Sequence, residues 1–200
     1  YPFCRGRIFD VVEKDCGQYD TVTEVMWVTG AALFIRLADY REVGGLDDHF
    51  FAHMEEIDLC WRLRSRGKKL VCIPQSVVYH VGGATLKKEN PRKTFLNFRN
   101  NLLMLYKNLP DKELEHVLFI RGILDRVAAL VFYLKKDRAN ARAVMQARRE
   151  FEDIRYSFAA SRIENMMKST DEIIPERTHF SIVMKYYLLG KKHFSQLKLF

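Results

Sequence analysis

One ordered run of small, acidic and apolar segments between Thr29 and His80 constrains this chain more than any other part of its sequence. An apolar stretch over residues 25–28 predicts a buried strand, and three small residues follow it at positions 30–32. A double glycine, an acidic cluster and a second apolar stretch come next. In chain order the run is Gly30-Ala31-Ala32, Gly44-Gly45, Glu55-Glu56-Ile57-Asp58 and Val77-Val78-Tyr79-His80.

The acidic cluster carries the reactive groups of this run. Glu55, Glu56 and Asp58 repel one another at the start of a predicted helix unless the helix N-terminus, a cation or a substrate hydroxyl stabilises them. One interpretation is that the three acids cap the helix and pair with Arg62 and Arg64 by helical spacing. The other is that one of them is a general base, since a single well-placed carboxylate can accept a hydroxyl proton.

The glycines allow two different interpretations. Gly30 permits a ligand or another backbone segment to approach closely, or it serves strand geometry alone. The Gly44-Gly45 pair is predicted to be structural, because Asp39 can cap a short helix through Val43 and Gly44 suits its left-handed C-terminal cap.

His80 ends the second apolar stretch and is therefore predicted to lie at the mouth of a strand, where ligands commonly bind. A neutral imidazole can coordinate a divalent metal, although oxygen ligands suit manganese better. The alternative is a structural histidine that is hydrogen-bonded to a loop carbonyl.

Together these segments resemble the acceptor half of family 2 glycosyltransferases, the inverting, nucleotide-sugar-dependent enzymes of the GT-A fold, and especially their rhamnosyltransferase-like bacterial members. The resemblance covers residues 1–110 and is thin beyond them. It implies an α/β fold for residues 1–90, as the C-terminal half of a Rossmann-like GT-A domain. A mostly helical C-terminal region is predicted for residues 91–200.

The resemblance also implies roles for individual residues. The family's acidic pair is usually Glu-Asp, and its second position, where the base normally lies, is Glu56 here. Because glutamate is one methylene longer than aspartate, either the acceptor binds in a different position, or Glu55 or Asp58 shares or takes over the role of the base. Gly30, Ala31, Ala32 and Arg62 are assigned to substrate binding, and His80 to a Mn or Mg ion that holds the donor diphosphate.

The Asp-x-Asp-like motif of these enzymes is not found here, and residues 1–17 are similar to the stretch after the nucleotide-binding half. We therefore expect a fragment that is inactive alone and retains little metal. The expected partners are a nucleotide-sugar donor and a glycan or lipid-linked acceptor of bacterial surface polysaccharide assembly.

Composition is consistent with a piece of a larger enzyme, since 48% hydrophobic residues can form a buried core. The best candidate for a membrane span, residues 116–134, contains Arg121, Asp125 and Arg126, which interrupt it. Its apolar residues predict instead one buried helical stripe. The stripe consists of Val117, Ile120, Leu124, Val127, Val131 and Leu134.

The four cysteines show no CxxC spacing, which indicates reduced cytoplasmic thiols and neither a zinc site nor a disulfide framework. A Cys4–Cys16 pairing is the one exception that the spacing allows.

Capping and breaking residues predict the remaining elements. Strands are expected at 23–36 (two), 69–73 and 77–79, after an extended loop over 1–18. Helices are expected at 39–43, 55–66, 139–156 and 161–168. Another helix is expected to be capped by Asn90 and to stop before Pro110, and the next is expected to begin at a cap on Asp111. The helix that Asn90 caps carries Phe95, Phe98, Leu102 and Leu105 on one side. Residues 180–189 are ambiguous.

The net charge of +8 allows a basic surface. Arg142, Arg148, Arg149 and Arg155 are predicted either to form a basic face for peripheral attachment at the inner side of the cytoplasmic membrane, or to be a solvated helix face. The functional alternative is a non-catalytic basic helical module that binds nucleic acid or a protein. It is disfavoured because the sequence shows no helix-turn-helix and no aromatic RNA-binding signature. A third possibility is a regulatory or oligomerising tail of the same transferase. The oligomeric state is not predicted.

Overall fold

The computed structural model describes residues 6–80, 90–170, 174–178 and 180–197. This part of the chain is mostly helical, with two small antiparallel sheets. Its α-helices are α1 Leu37–Glu42, α2 Glu55–Ser65, α3 Pro91–Asn108, α4 Asp111–Leu134, α5 Arg138–Ile154, α6 Ala159–Lys168 and α7 Ile182–Tyr187. Its strands are β1 Arg7–Ile8, β2 Val11–Val12, β3 Thr23–Glu24 and β4 Val71–Cys72, and short 3-10 helices span Gly30–Ala32, Asp48–Phe50, Arg155–Phe158 and Phe194–Leu197.

Helix α3 lies at the centre of the bundle and contacts α2, α4, α5 and α6. It begins as predicted, because the Asn90 side chain accepts a hydrogen bond from the Arg92 N–H at 2.9 Å and Pro91 occupies the first turn. Its buried surface is wider than the predicted stripe. Leu102 is fully buried, Phe95, Phe98 and Leu105 are only partly buried, and the other buried positions are Leu96, Asn100, Asn101, Leu103, Met104, Tyr106, Lys107 and Asn108.

The main hydrophobic core joins residues from both sides of the predicted division at residue 90. Phe50, Met54 and Trp61 from the first part pack with Leu102 and Phe151 from the second. A smaller core joins Ile8 of β1 to Ile182, Phe194 and Leu197 near the end of the chain. The described residues on both sides of position 90 therefore share one core, and the division into two regions stays a prediction.

The sheets are smaller than the sequence predicted. β1 and β2 form a hairpin where a loop was expected, with Arg7 opposite Val12, while β3 pairs with β4. The predicted strands at 25–28 and 77–79 were wrong: the first is partly buried irregular chain, and the second is exposed. A strand needs a backbone partner, and within the described residues β3 pairs with β4 alone.

The helices after residue 90 agree with the prediction of a mostly helical region. α5 and α6 lie within two residues of their predicted bounds, and the ambiguous 180–189 segment contains α7. Pro110, not Asp111, is the N-cap residue of α4. α1 begins two residues before Asp39, which lies in its first turn and pairs with Arg36 at 2.7 Å.

The predicted packing face of α4 was wrong. Ile120, Val127, Val131 and Leu134 are exposed to solvent, and Val117 and Leu124 are partly buried. The residues that face the bundle are instead Leu114, Leu118, Gly122, Asp125 and Ala129. Two stripes on one helix are apolar enough to pack, so the local pattern does not decide which of them meets α3 and α5.

The predicted basic face of α5 is divided. Arg148 points to α4 and pairs with the buried Asp125 at 2.9 Å, and Arg155 pairs with Glu152 at 3.3 Å. Arg142 and Arg149 are exposed.

Among the described residues, no helix is both long enough and apolar enough to cross a bilayer. The described cysteines are free: Cys16 is exposed, Cys60 is buried and Cys72 is partly buried. The Cys4–Cys16 pairing involves a residue outside the described part of the chain.

The packing of α3 against α5 is predicted to contribute strongly to the stability of the fold. The Phe151 ring is 1% exposed and lies edge-on to Tyr106, with ring centroids 6.3 Å apart. We expect Phe151→Ala to lower the free energy of unfolding by about 3–5 kcal/mol, because it leaves a cavity in the core. Chemical denaturation measures this change. Ile163→Ala, at a site 59% exposed, is the control, and equal losses for the two variants would contradict the assignment.

Candidate functional site

The acidic cluster lies at the N-terminus of α2, which follows a loop with unusual backbone angles. Phe51, His53 and Met54 have φ angles of 60°, 70° and 75°, in the left-handed region that non-glycine residues rarely adopt. Met54 is the N-cap residue and its side chain makes no capping hydrogen bond. Such strain persists only where surrounding contacts enforce it, and it is concentrated at functional sites.

Asn100 of α3 supplies those contacts. Its Nδ2 lies 2.8 Å from the carbonyl oxygens of Phe50, Ala52 and His53, so two N–H groups are shared among three acceptors. The side chain is fully buried. Sequence reasoning missed this residue; the available signal was an asparagine at helical spacing between Leu96 and Leu103, since buried polar groups must find partners.

Glu56 has a buried carboxylate oxygen without a matching donor. Its Oε2, like that of Glu55, is buried and has no hydrogen-bond partner among the described residues. Burial raises the pKa of the Glu56 carboxyl above its ordinary value and the charge of Glu55 raises it further, while the backbone N–H groups of Glu56 and Ile57 oppose this. A proton on this carboxyl is therefore favoured more than on an ordinary glutamate.

Gly30 lies beside Glu56. A Cβ atom built on Gly30 would lie 3.8 Å from the Glu56 Cβ, which is an ordinary contact distance. Thr29 caps the short 3-10 helix that holds the three predicted binding residues, and Gly30, Ala31 and Ala32 are all exposed. The structure thus brings the small-residue segment and the candidate base together at the surface.

Asp58 has a different environment although it is only two residues away. It is fully buried, and its carboxylate accepts hydrogen bonds from Arg62 Nε at 2.9 Å, Lys107 Nζ at 3.0 Å and Asn108 Nδ2 at 2.7 Å. This is the ion pair at helical spacing that the structural interpretation anticipated for Asp58.

Arg62, predicted to bind substrate, is buried and oriented toward the double-glycine turn. Its guanidinium donates to the carbonyls of Val43 and Gly45, the latter at 2.7 Å. The turn itself is structural as predicted, because Gly44 and Gly45 have φ angles of 83° and 68°. Arg64, the other predicted partner of the acids, pairs instead with Glu176.

His53 is a second residue that sequence reasoning missed. Its Nε2 is buried and has no hydrogen-bond partner within the described residues. Burial lowers the pKa of this histidine and the charge of Lys93 lowers it further, against the opposing effect of Glu55. A neutral imidazole is therefore favoured next to the acidic cluster.

His80 is exposed, and among the described residues it forms no hydrogen bond or ion pair with the acidic cluster. The described ranges also contain no group of three His, Cys, Asp or Glu side chains that could hold a metal ion. The residues described here do not fit a complete metal site, and the role of His80 as a ligand stays a prediction.

Cys60, one helical turn after Glu56, is buried against the apolar segment that precedes Gly30. Burial raises the pKa of its thiol to about 11, although a hydrogen bond with the Val28 backbone opposes this. The thiol is therefore an unreactive packing group.

The contacts of Asn100 predict a loss of stability on truncation. We expect Asn100→Ala to lower the free energy of unfolding by about 1–3 kcal/mol, because one buried and two partly buried carbonyls lose their donor. Chemical denaturation measures the loss. Asn97→Ala on the same helix removes one bond, to the Lys93 carbonyl at 2.9 Å. A loss no greater than that of this control would show that Asn100 does not hold the loop.

The raised pKa of Glu56 predicts a pH dependence of stability. As the pH rises from the ordinary glutamate pKa through the raised one, the folded state resists losing the proton, so the native protein loses stability. The Glu56→Gln variant lacks this loss. We therefore expect its free energy of unfolding, relative to the native protein, to increase with pH across that window. Glu115→Gln on the exposed side of α4 is the control, and a decrease with pH would contradict the environment described for Glu56.

Comparison with known proteins finds glycosyltransferases. The chain is 31% identical over 141 residues to the pre-mycofactocin glycosyltransferase of Mycobacterium tuberculosis. This match covers 65% of this chain and 29% of the relative. It is 38% identical over 56 residues to the N-acetylglucosaminyl-diphospho-decaprenol L-rhamnosyltransferase of the same species, covering 28% of this chain and 18% of the relative. It is 33% identical over 69 residues to rhamnosyltransferase WbbL of Escherichia coli K12, covering 34% of this chain and 25% of the relative.

The matched part of the chain spans less than a third of each of these relatives. No family model matches the chain. No solved structure matches it. The chain is thus similar, over part of its length, to proteins named glycosyltransferases.

Proposed function

We propose that this chain forms the acceptor side of an inverting, nucleotide-sugar-dependent glycosyltransferase, with Glu56 as its general base. The observation that carries the proposal is the buried, unpartnered Oε2 of Glu56 beside the exposed Gly30 segment. The similarity to three glycosyltransferases supports this function over a nucleic-acid or protein-binding module.

The proposed reaction needs one carboxylate on the acceptor side. The acceptor hydroxyl gives its proton to Glu56 while its oxygen attacks the anomeric carbon of the donor sugar. The bond to the nucleoside diphosphate breaks on the opposite face, so the configuration inverts. A base with a raised pKa accepts the proton more readily near neutral pH than an ordinary carboxylate does.

The three acids are not equivalent candidates for this step. Asp58 is fully buried and its oxygens already accept bonds from Arg62, Lys107 and Asn108, which makes it a poor proton acceptor for an incoming hydroxyl. Glu55 shares the unpartnered, partly buried environment of Glu56 and is the alternative base.

The remaining partners belong to the proposal as well. We assign the acceptor to a glycan or lipid-linked hydroxyl at the inner face of the cytoplasmic membrane, bordered by Gly30, Ala31 and Ala32. The donor diphosphate and any Mn or Mg ion require groups in addition to the described residues, because His80 alone is insufficient for a metal site.

Substitution of the proposed base tests this function. In the full-length protein, Glu56→Gln is expected to lower turnover by about a hundredfold or more, because the amide cannot accept the hydroxyl proton. Donor affinity, measured by calorimetry, is expected to change little. Glu55→Gln is the matched control. Near-normal turnover by Glu56→Gln together with a large loss in Glu55→Gln would assign the base to Glu55.

A further inference from the structure

Helix α4 presents a continuous apolar face to solvent. Phe119, Ile123, Leu130 and Leu134 are 69%, 50%, 55% and 70% exposed. At helical spacing these side chains lie on one side of α4, over a length of about 22 Å at 1.5 Å per residue. The face is completed by Ile120, Val127 and Val131.

This apolar face is not needed to build the bundle. The opposite side of α4 already packs inward through Leu114, Leu118 and Ala129. Soluble proteins rarely leave a contiguous apolar surface of this extent uncovered, and where they do it commonly marks an interaction site.

Bases predominate beside the C-terminal part of the face, although the exposed Glu115 lies one helical turn before Phe119. Exposed bases flank the face and continue past its C-terminal end. Of the two carboxylates between residues 119 and 142, Asp125 is buried and paired with Arg121 and Arg148, and Asp137 caps α5 by accepting a hydrogen bond from the Asn140 backbone N–H. The exposed bases are Arg126, Lys135, Lys136, Arg138 and Arg142.

We propose that the α4 face docks on a bilayer surface that contains anionic lipids. An interfacial helix lies in the plane of the membrane with its apolar side among the acyl chains, and basic residues at its edge contact anionic headgroups. The α4 face has both components. A second copy of this chain fits less well, because two surfaces with the same basic edge repel each other.

This inference goes beyond the proposed transfer reaction and does not depend on it, because the binding is measured without any donor or acceptor. If both are correct, α4 holds the acidic cluster near acceptors that are anchored in the membrane.

Vesicle flotation of the purified protein tests the proposal. We expect the native protein to float with phosphatidylcholine vesicles that contain phosphatidylglycerol, and much less with phosphatidylcholine alone. The double variant Ile123→Glu with Val127→Glu is expected to lower the apparent affinity by about tenfold or more, because it places two charges in the apolar face. Both sites are half exposed, so circular dichroism should show a folded protein.

Two matched controls make the result specific. Ile163→Glu with Met167→Glu has the same spacing on α6, at sites 59% and 81% exposed, and is expected to bind like the native protein. A second test variant, Lys135→Glu with Arg142→Glu, reverses the charge of two of the exposed bases and is expected to abolish the preference for anionic vesicles. Lys191→Glu with Lys192→Glu, which changes charge equally at another exposed site, is expected to retain it.

Three outcomes would overturn the proposal. The first is that the native protein does not float with anionic vesicles. The second is that the α4 double variant floats as well as the α6 control. The third is a concentration-dependent dimer, seen by light scattering, that the α4 variant abolishes without any change in flotation; a second copy would then cover the face.

Discussion

The buried carboxylate of Asp58 is the contact on which the arrangement of this site depends. A fully buried charge is unfavourable unless donors surround it, and here they come from α2 itself and from α3. Lys107 extends the network by pairing with Asp47 at 2.7 Å, and Arg62 extends it to the double-glycine turn. Three segments, the turn over residues 43–47, α2 and α3, are thereby fixed around one carboxylate. Losing one partner would leave an uncompensated charge, so the network constrains the position of α2 more strongly than apolar packing alone.

The same network explains why neighbouring acids on α2 have different chemistry. Residues two apart on a helix point to nearly opposite sides, about 200° around the axis. When Asp58 points into the donors of α3, Glu56 must point toward the Gly30 segment, where its Oε2 has no donor among the described residues. The satisfied acid stabilises the fold, and the unsatisfied one retains the capacity to take up a proton. The structural interpretation of the acidic cluster thus applies to Asp58, and the catalytic role of Glu56 stays a proposal.

Local signals in the sequence predicted the helices well and the tertiary contacts poorly. Asn90, Pro91 and Pro110 delimit α3, and Gly44 and Gly67 end α1 and α2, because capping and breaking depend on a few adjacent residues. The strands at 25–28 and 77–79 depended on partners elsewhere in the chain, and no periodicity contains that information. The prediction of the packing face of α4 was wrong for a related reason. The helix has two apolar stripes, and the ion pair between Asp125 and Arg148 decides which of them packs inward. Asn100 was missed because its partners are carbonyl groups, which leave no mark in a side-chain pattern.

The strained loop before α2 and the central helix α3 link these observations. Asn100 holds the loop from one point of α3, and Lys107, about two turns further along, holds Asp58. Both ends of the acidic cluster are thus attached to the same helix, which also contacts α4 and α5. The outer face of α4 and the acidic cluster are therefore connected through α3 and the hydrogen bonds of Asn100 and Lys107. Because packed helices move as units, a surface bound by α4 would fix the orientation of the carboxylate as well as its distance from that surface.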